Sequence, residues 1–238
     1  MRHFTRVAPI MPASIQAAAY ADTEILFDWH KVEGFKGGAI DGVKVIVRGT
    51  DGAAQTMVGI DLLFATSHIP TPSDGTNVSI DVAPTTLGTT GAAVDTPGWF
   101  NNLVGYVPVA AGDFNDADLI YLNTANVNLA GEEIPVSGDL YVAAIAKGAL
   151  DFRTTARVNE TGFAAGTQTV ITVDTKDITL GFAPGDVVHA VDDAVLGTIK
   201  TVDSATQITL TKANVDAIAD SDIIYNVSTI QLILSGTV

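Results

Sequence analysis

From residue 23 onward, apolar residues recur at every second position in short runs. In TEILFDWHKV (23–32), Ile25, Phe27 and Trp29 alternate with Glu24, Asp28 and His30, the period of a strand with one buried face. GVKVIVRG (42–49) is a second such run, bounded by Asp41-Gly42 and Asp51-Gly52 turn signals. TMVGIDLLFAT (56–66), NVSIDVA (77–83), LVGYVPVA (103–110), LIYLNTANVNL (119–129) and DLYVAAIAKGA (139–149) follow at fairly even spacing. Connectors rich in Pro, Gly, Asp and Thr, such as HIPTPSDGT and LGTTGAAVDTPG, separate them. Short strands with regular turn punctuation predict an all-β fold, a β-sandwich of the jelly-roll kind.

Helix signals are sparse. ASIQAAAYA (13–21), DTPGWFNNLVG (95–105) and KANVDAIADSD (212–222) are the segments expected to contribute a helical turn.

After residue 157 the texture changes. TQTVITVDTKDITL, GDVVHAV, LGTIKTV, TQITL and DIIYNV give about five short strands with tight turns, the pattern of a small SH3-like β-barrel. STIQLILSGTV (228–238) then returns to the longer alternating style and is expected to pair with DLYVAAIAKGA as the closing strand of the first sheet. The expected layout is an N-terminal arm (1–22), a jelly-roll-like β-sandwich (23–157 plus 228–238) and the small barrel inserted at 158–227. An insertion leaves both barrel ends close together, and two consecutive domains are the alternative layout.

Of the 238 residues, 47% are hydrophobic and only 16% charged, well below the average of roughly 25% for soluble proteins. No apolar run approaches the ~20 residues of a membrane-spanning helix. A chain with so few ions either covers itself with Thr, Ser and Asn or has much of its outside covered by neighbours in an assembly. The net charge of −15 is spread along the chain: residues 1–155 carry 8 basic and 17 acidic groups, residues 156–238 carry 4 and 10. Phosphate binding relies on clustered Lys and Arg, and no cluster exists, which argues against direct nucleic-acid contact. The chain has no cysteine, so disulfides, thiolate metal sites and a Cys nucleophile are excluded. The start, MRHFTRVAPIMPASIQAAAYAD, imitates a signal peptide, but Pro9, Pro12, Ser14 and Gln16 interrupt the apolar core, and it reads instead as an arm tied down by a neighbour or by its own sandwich.

Candidate chemistry is thin. His3, His30, His68 and His189 show no ligand spacing, and there is no P-loop, G-x-G-x-x-G or G-x-S-x-G. In DFNDAD (113–118), Asp113, Asn115, Asp116 and Asp118 offer the hard oxygens that Ca²⁺ prefers, but Ala117 and Thr124 occupy EF-hand ligand positions and no glycine turns the loop. The stretch reads as an Asx-rich turn, and Asp192-Asp193 and Asp220/Asp222 fit turn roles too. Glu132 and Glu133 are adjacent, so in a strand they point to opposite faces and do not form a glycosidase pair. Trp29 and Trp99 are candidates for a sugar groove or for the core. The sequons at Asn77, Asn159 and Asn226 are expected by chance in so Ser- and Thr-rich a chain. No catalytic, cofactor-binding or metal-ligating residue is expected, and no cofactor.

The run GGAIDGVKVIVRGTDGAAQTMVGIDLLFAT (37–66), followed much later by GDLYVAAIAKGALDF (138–152), resembles structural proteins of tailed bacteriophages. In that set a first strand leads to an acidic turn and a DLLF-like strand, and a later LYVA strand precedes an aromatic-containing turn, here Asp151-Phe152-Arg153. PGDVV (184–188), with LGTI (196–199) and SATQITLT (204–211), is similar to small β-modules grafted onto phage virion proteins. The resemblance implies a non-enzymatic capsid decoration (cement) protein, made in the bacterial host cytoplasm and residing on the capsid surface. Its implied partners are the major capsid protein and its own copies as a trimer or dimer, with neither nucleic acid nor membrane. No functional residue carries over, because such proteins act through surfaces. The inserted barrel exceeds what a minimal decoration protein needs and is expected as an outward-facing knob. Two other readings remain: a tail-tube or neck protein forming rings, and a glycan-binding or glycan-cleaving surface protein using Trp99 and Phe100.

Overall fold

A computed structural model of the chain describes residues 2–9, 11, 19–35, 37–50, 54–66, 103–115, 122–153, 156–159, 162–174, 178, 181–190 and 195–237. Its strands begin with β1 (Arg2–Val7), β2 (Ile25–Val32), β3 (Gly38–Arg48), β4 (Ile60–Thr66) and β5 (Leu103–Val109). They continue with β6 (Phe114–Asn115), β7 (Leu122–Asn128), β8 (Ile134–Val136), β9 (Leu140–Ala146) and β10 (Val170–Thr172). Last come β11 (Val187–Ala190), β12 (Val195–Ser204), β13 (Gln207–Leu210), β14 (Ile224–Asn226) and β15 (Ile230–Thr237). Among the described residues the helical content is one 3-10 turn, Ala111–Asp113, and no helix is long and apolar enough to cross a membrane. The protein is all-β, with antiparallel sheets throughout. The expected strand at 77–83 lies outside the described residues.

The first sheet runs β1-β15-β3-β7-β6, with β8 added beside the start of β3; the second runs β2-β9-β4-β5. Val43, Val45 and Val47 of β3 and Leu232 and Leu234 of β15 share one buried cluster with Leu62 and Phe64 of β4 and Val142 and Ala144 of β9. Alternation makes this possible, since every second side chain of each strand points to the same side. Each such Val, Leu or Phe contributes about 1.5–3 kcal/mol on full burial.

The last strand does not pair where the sequence suggested. β15 lies between β1 and β3, whereas β9 lies between β2 and β4 in the other sheet. Both strands contribute side chains to the shared core and exchange no ladder hydrogen bonds. Both are apolar alternating runs, and that pattern fits either partner. The segment expected as an arm contributes β1, whose register runs from Arg2 opposite Thr237 to Val7 opposite Leu232. Of 13–21, where a helical turn was expected, residues 13–18 lie outside the described residues, and Tyr20 forms a bridge with Leu150.

β2 also departs from simple alternation. Its register against β9 shifts between Ile25 and Phe27 and again between Phe27 and His30. Each bulge changes the face on which the next side chain emerges. Leu26 and Phe27 therefore enter the main core, while Ile25 and Trp29 join Leu63, Ala143 and Ile145 in a separate cluster. Ile25, Phe27 and Trp29 do not share one face.

The third sheet runs β10-β13-β12-β11-β14 and carries its own cluster, drawn from Ala156 to Ile224 and including Val158, Ile171, Val188, Ile199 and Ile208. Arg157 bridges to Ile223 beside β14, and Val158 bridges to Val173 beside β10. The short segment thus ties both edges of the sheet together, which removes edges that would invite foreign pairing.

The expected helical turn at 212–222 is absent, for a visible reason. The Asn214 N–H is bound by Gln168 O at 2.7 Å, that of Val215 by Leu196 O at 2.8 Å and that of Ile218 by Phe163 O at 3.0 Å. These donors serve neighbouring segments instead of a carbonyl four residues back. For DTPGWFNNLVG, residues up to Asn102 lie outside the described residues, and Leu103 begins β5.

The two cores meet at β14, where Tyr225 belongs to the main cluster and Ile224 to the second. Polar groups cross the same junction. Arg48 at the end of β3 pairs with Asp186, whose Oδ2 also accepts from Asn226 Nδ2 at 2.9 Å and from the Ala183 N–H at 2.8 Å.

Candidate interaction surface

The outward side chains of the first sheet form cross-strand rows. Phe4 lies opposite Ser235, Ser235 opposite Gly42 and Gly42 opposite Asn128. The next row, two residues along, is Arg6, Ile233, Lys44 and Asn126. Three strand spacings of about 4.8 Å put the ends of each row about 14 Å apart, and two residues of strand separate the rows by about 7 Å.

Gly42 sets the floor. A Cβ there would meet Ser235 Oγ at 2.8 Å and the Val127 carbonyl at 3.3 Å, so only glycine lets the Ser235 hydroxyl lie down against the strand and keeps the surface low between Phe4 and Asn128. The result is a depression of about 310 Å³ lined by Phe4, Asp41, Lys44, Asn126, Asn128, Ile233 and Ser235, among others. Phe4 is 63% exposed at its rim. Ser235 donates its hydroxyl to Asp41 Oδ1 at 2.6 Å. Asn128 accepts the Ala130 N–H through Oδ1 at 3.0 Å, which turns its NH₂ group to other use. Among the described residues, the Lys44 ammonium makes no ion pair and the Asn126 amide makes no hydrogen bond.

A second depression, about 430 Å³, is lined by Thr50, Gln55, Ala149, Asp151 and Arg153 among others. Its polar groups are engaged with one another. Arg153 is paired with Asp151 at 2.6 Å, which holds that carboxyl below the usual range, and Gln55 Nε2 donates to the Asp151 carbonyl at 2.5 Å.

The sequence candidates are dispersed. Asp113 accepts the Ala110 N–H at 2.8 Å in the 3-10 turn, and Asn115 sits in β6. Asp222 accepts the Ala219 N–H at 2.7 Å, and Glu133 is lowered in pKa by its own backbone N–H and by that of Gly131, which it accepts at 3.1 Å. Asp116, Asp118, Asp192, Asp193, His68, Trp99, Phe100 and Asn77 lie outside the described residues. Among the described residues no three His, Asp or Glu side chains come together as a metal site would require. His3 meets Phe35 edge-on at 6.0 Å, and His189 is buried beside Tyr225 at 5.8 Å. Trp29 packs against the Ile25 cluster. Asn226 is 5% exposed, with its amide donating to Asp186 and to the Gly181 carbonyl, so its sequon is spent inside the fold.

Two carboxyl-and-phenol outliers are set by burial. Asp28 in β2 is pushed up to about 6 by desolvation, against a lowering hydrogen bond from the Trp29 N–H. The Tyr20 phenol is pushed up by the same cause, reinforced by Glu24. Neither borders the Phe4 depression. Sequence reasoning missed that depression because its residues come from four strands, β1, β3, β7 and β15, joined only by register. The signal was present in the alternation of β3 and β7, where Lys44, Asn126 and Asn128 fall on the polar phase.

Compared with known proteins, the sequence matches no family model and no curated protein.

Proposed function

We propose that this protein is a non-enzymatic structural component of a tailed-phage virion, a decoration protein that binds the assembled capsid shell and stabilises it. In this reading the β-sandwich is jelly-roll-like and carries residues 158–227 as a small SH3-like barrel inserted before β15. The observation that carries the proposal is the scarcity of charge, 16% of residues, on an exterior built of strands. Phe4, Tyr106, Val170, Val187, Val195 and Val215 are also left exposed on it. Few charges and available apolar side chains are what an interface between copies or with a lattice contains at its centre. A net charge of −15 keeps finished particles apart in solution.

The test is co-sedimentation of the purified chain with empty shells assembled from a tailed-phage major capsid protein, together with its mass in solution. Saturable binding by a dimer or trimer supports the proposal. Spontaneous stacking into rings or tubes without shells moves the protein to the tail tube or neck. A monomer that ignores shells overturns the proposal.

A further inference from the structure

We infer that the depression on the outer face of the first sheet is a saccharide-binding site, taking a short chain of pyranose rings laid across β1, β15, β3 and β7. The inference is independent of any role on a shell. A pyranose presents one face of C–H groups and a rim of adjacent hydroxyls, each both donor and acceptor. Such a ligand needs a flat apolar surface beside convergent, mixed polar groups.

The depression supplies both. Phe4, 63% exposed, offers a ring face at one end. Across the Gly42 floor lie the planar amides of Asn126 and Asn128, which can donate and accept side by side as vicinal hydroxyls require. Lys44 adds a donor, and Asp41 with Ser235 adds an acceptor already oriented by its 2.6 Å hydrogen bond. These groups stand on paired strands, so register fixes their spacing before any ligand arrives, and little ordering is lost on binding. The rows measure about 14 by 7 Å, an elongated shape suited to a chain and not to one small ion. The same patch is far smaller than the roughly 800 Å² per partner of a standard protein interface, which disfavours a folded protein as its occupant.

The test is an NMR titration of the full ¹⁵N-labelled chain with three probes: maltotriose, chitotriose and trigalacturonate. Expected is a fast-exchange shift pattern confined to β1, β3, β7 and β15 for at least one probe, with a Kd on the order of 1 mM or tighter. Phe4→Ala and Asn126→Ala should each weaken that binding at least fivefold. Tyr106→Ala, which removes another exposed ring, should leave it within twofold. Both side chains point outward, and an unchanged melting temperature establishes that each variant is folded; Lys44→Met is the substitute if either is not. Absence of shifts with all three probes overturns the inference. So does binding that survives Phe4→Ala and Asn126→Ala together.

Discussion

Arg48 and Asp186, 138 residues apart in sequence, form a salt bridge where the two cores meet. Their side chains are only 13% and 9% exposed, and Asn226 and the Ala183 N–H complete the shell of the carboxylate. Removing the cation leaves a desolvated carboxylate without its counter-charge, which in comparable sites costs about 3–5 kcal/mol. We predict that Arg48→Ala lowers unfolding stability in urea by about 3 kcal/mol, and that Arg48→Met with Asp186→Asn recovers most of it. A loss below about 0.5 kcal/mol for Arg48→Ala would show that the pair is not what joins the units.

Asn214 is fully buried and uses every side-chain hydrogen-bonding group it has. Its Oδ1 accepts from the N–H groups of Thr167 and Gln168 at 3.1 and 2.8 Å, and its Nδ2 donates to the carbonyls of Ala164 and Asp216 at 3.0 and 2.7 Å. Asn214→Ala orphans three backbone groups, since the Ala164 carbonyl keeps the Thr167 hydroxyl at 2.7 Å, and should cost about 2–4 kcal/mol. Asn214→Asp keeps the shape but faces two carbonyls with a carboxylate, so it should be worse than Ala at pH 7. Thermal melts of the two variants decide the order.

Asp28 makes stability fall with rising pH. Its folded pKa of about 6 lies above the ordinary unfolded value near 4, so the folded state holds the proton more tightly. Well below pH 4 the neutral form predominates in both states; as pH rises through about 4 to 6 the unfolded chain ionises first, and the fold is progressively penalised. Asp28→Asn should match the natural protein at pH 4 and exceed it by about 2 kcal/mol at pH 7. Equal stability at both values removes Asp28 from the pH profile. His30, whose pKa burial lowers, acts oppositely and is common to both proteins, so it cancels in the comparison.

Gly105 in β5 leaves no room for a side chain, because an added Cβ would stand 2.5 Å from Ile134 Cδ1. The obstacle is a side chain and can be trimmed. Gly105→Ala should destabilise by about 1–3 kcal/mol, and Ile134→Ala in the same chain should cost less than its effect alone, giving a positive coupling in a double-mutant cycle. At Gly236 the obstacle is the Ala39 carbonyl at 2.2 Å, so Gly236→Ala should resist rescue by any side-chain change. Additive losses at 105 and 134 would contradict this packing.

The sequence pattern located most strands: β5, β9, β11, β13 and β15 lie inside the expected runs, while β3 begins four residues before its run and β12 extends past its run at both ends. It did so because the side-chain period of a strand is fixed by backbone geometry, whatever the partner. The same rule is blind to partnership. It could not separate β9 from β15, nor anticipate the bulges that divide Ile25 from Phe27, nor count β8, whose three residues are too few to show a period. The helical turn expected in 212–222 failed because Asn214, Val215 and Ile218 donate their N–H groups to Gln168, Leu196 and Phe163, contacts that no local pattern reveals.

The amino-acid sequence by itself determined that this protein is all-β, acidic and poor in charge, since these follow from side-chain type and period. Only the tertiary structure decided which strands became neighbours, which carboxyl was stripped of water, and that Phe4 and Asn128, 124 positions apart by their numbering, border one depression. Those outcomes depend on long-range register, a contest among near-equivalent apolar edges that is settled by the packing of the whole core.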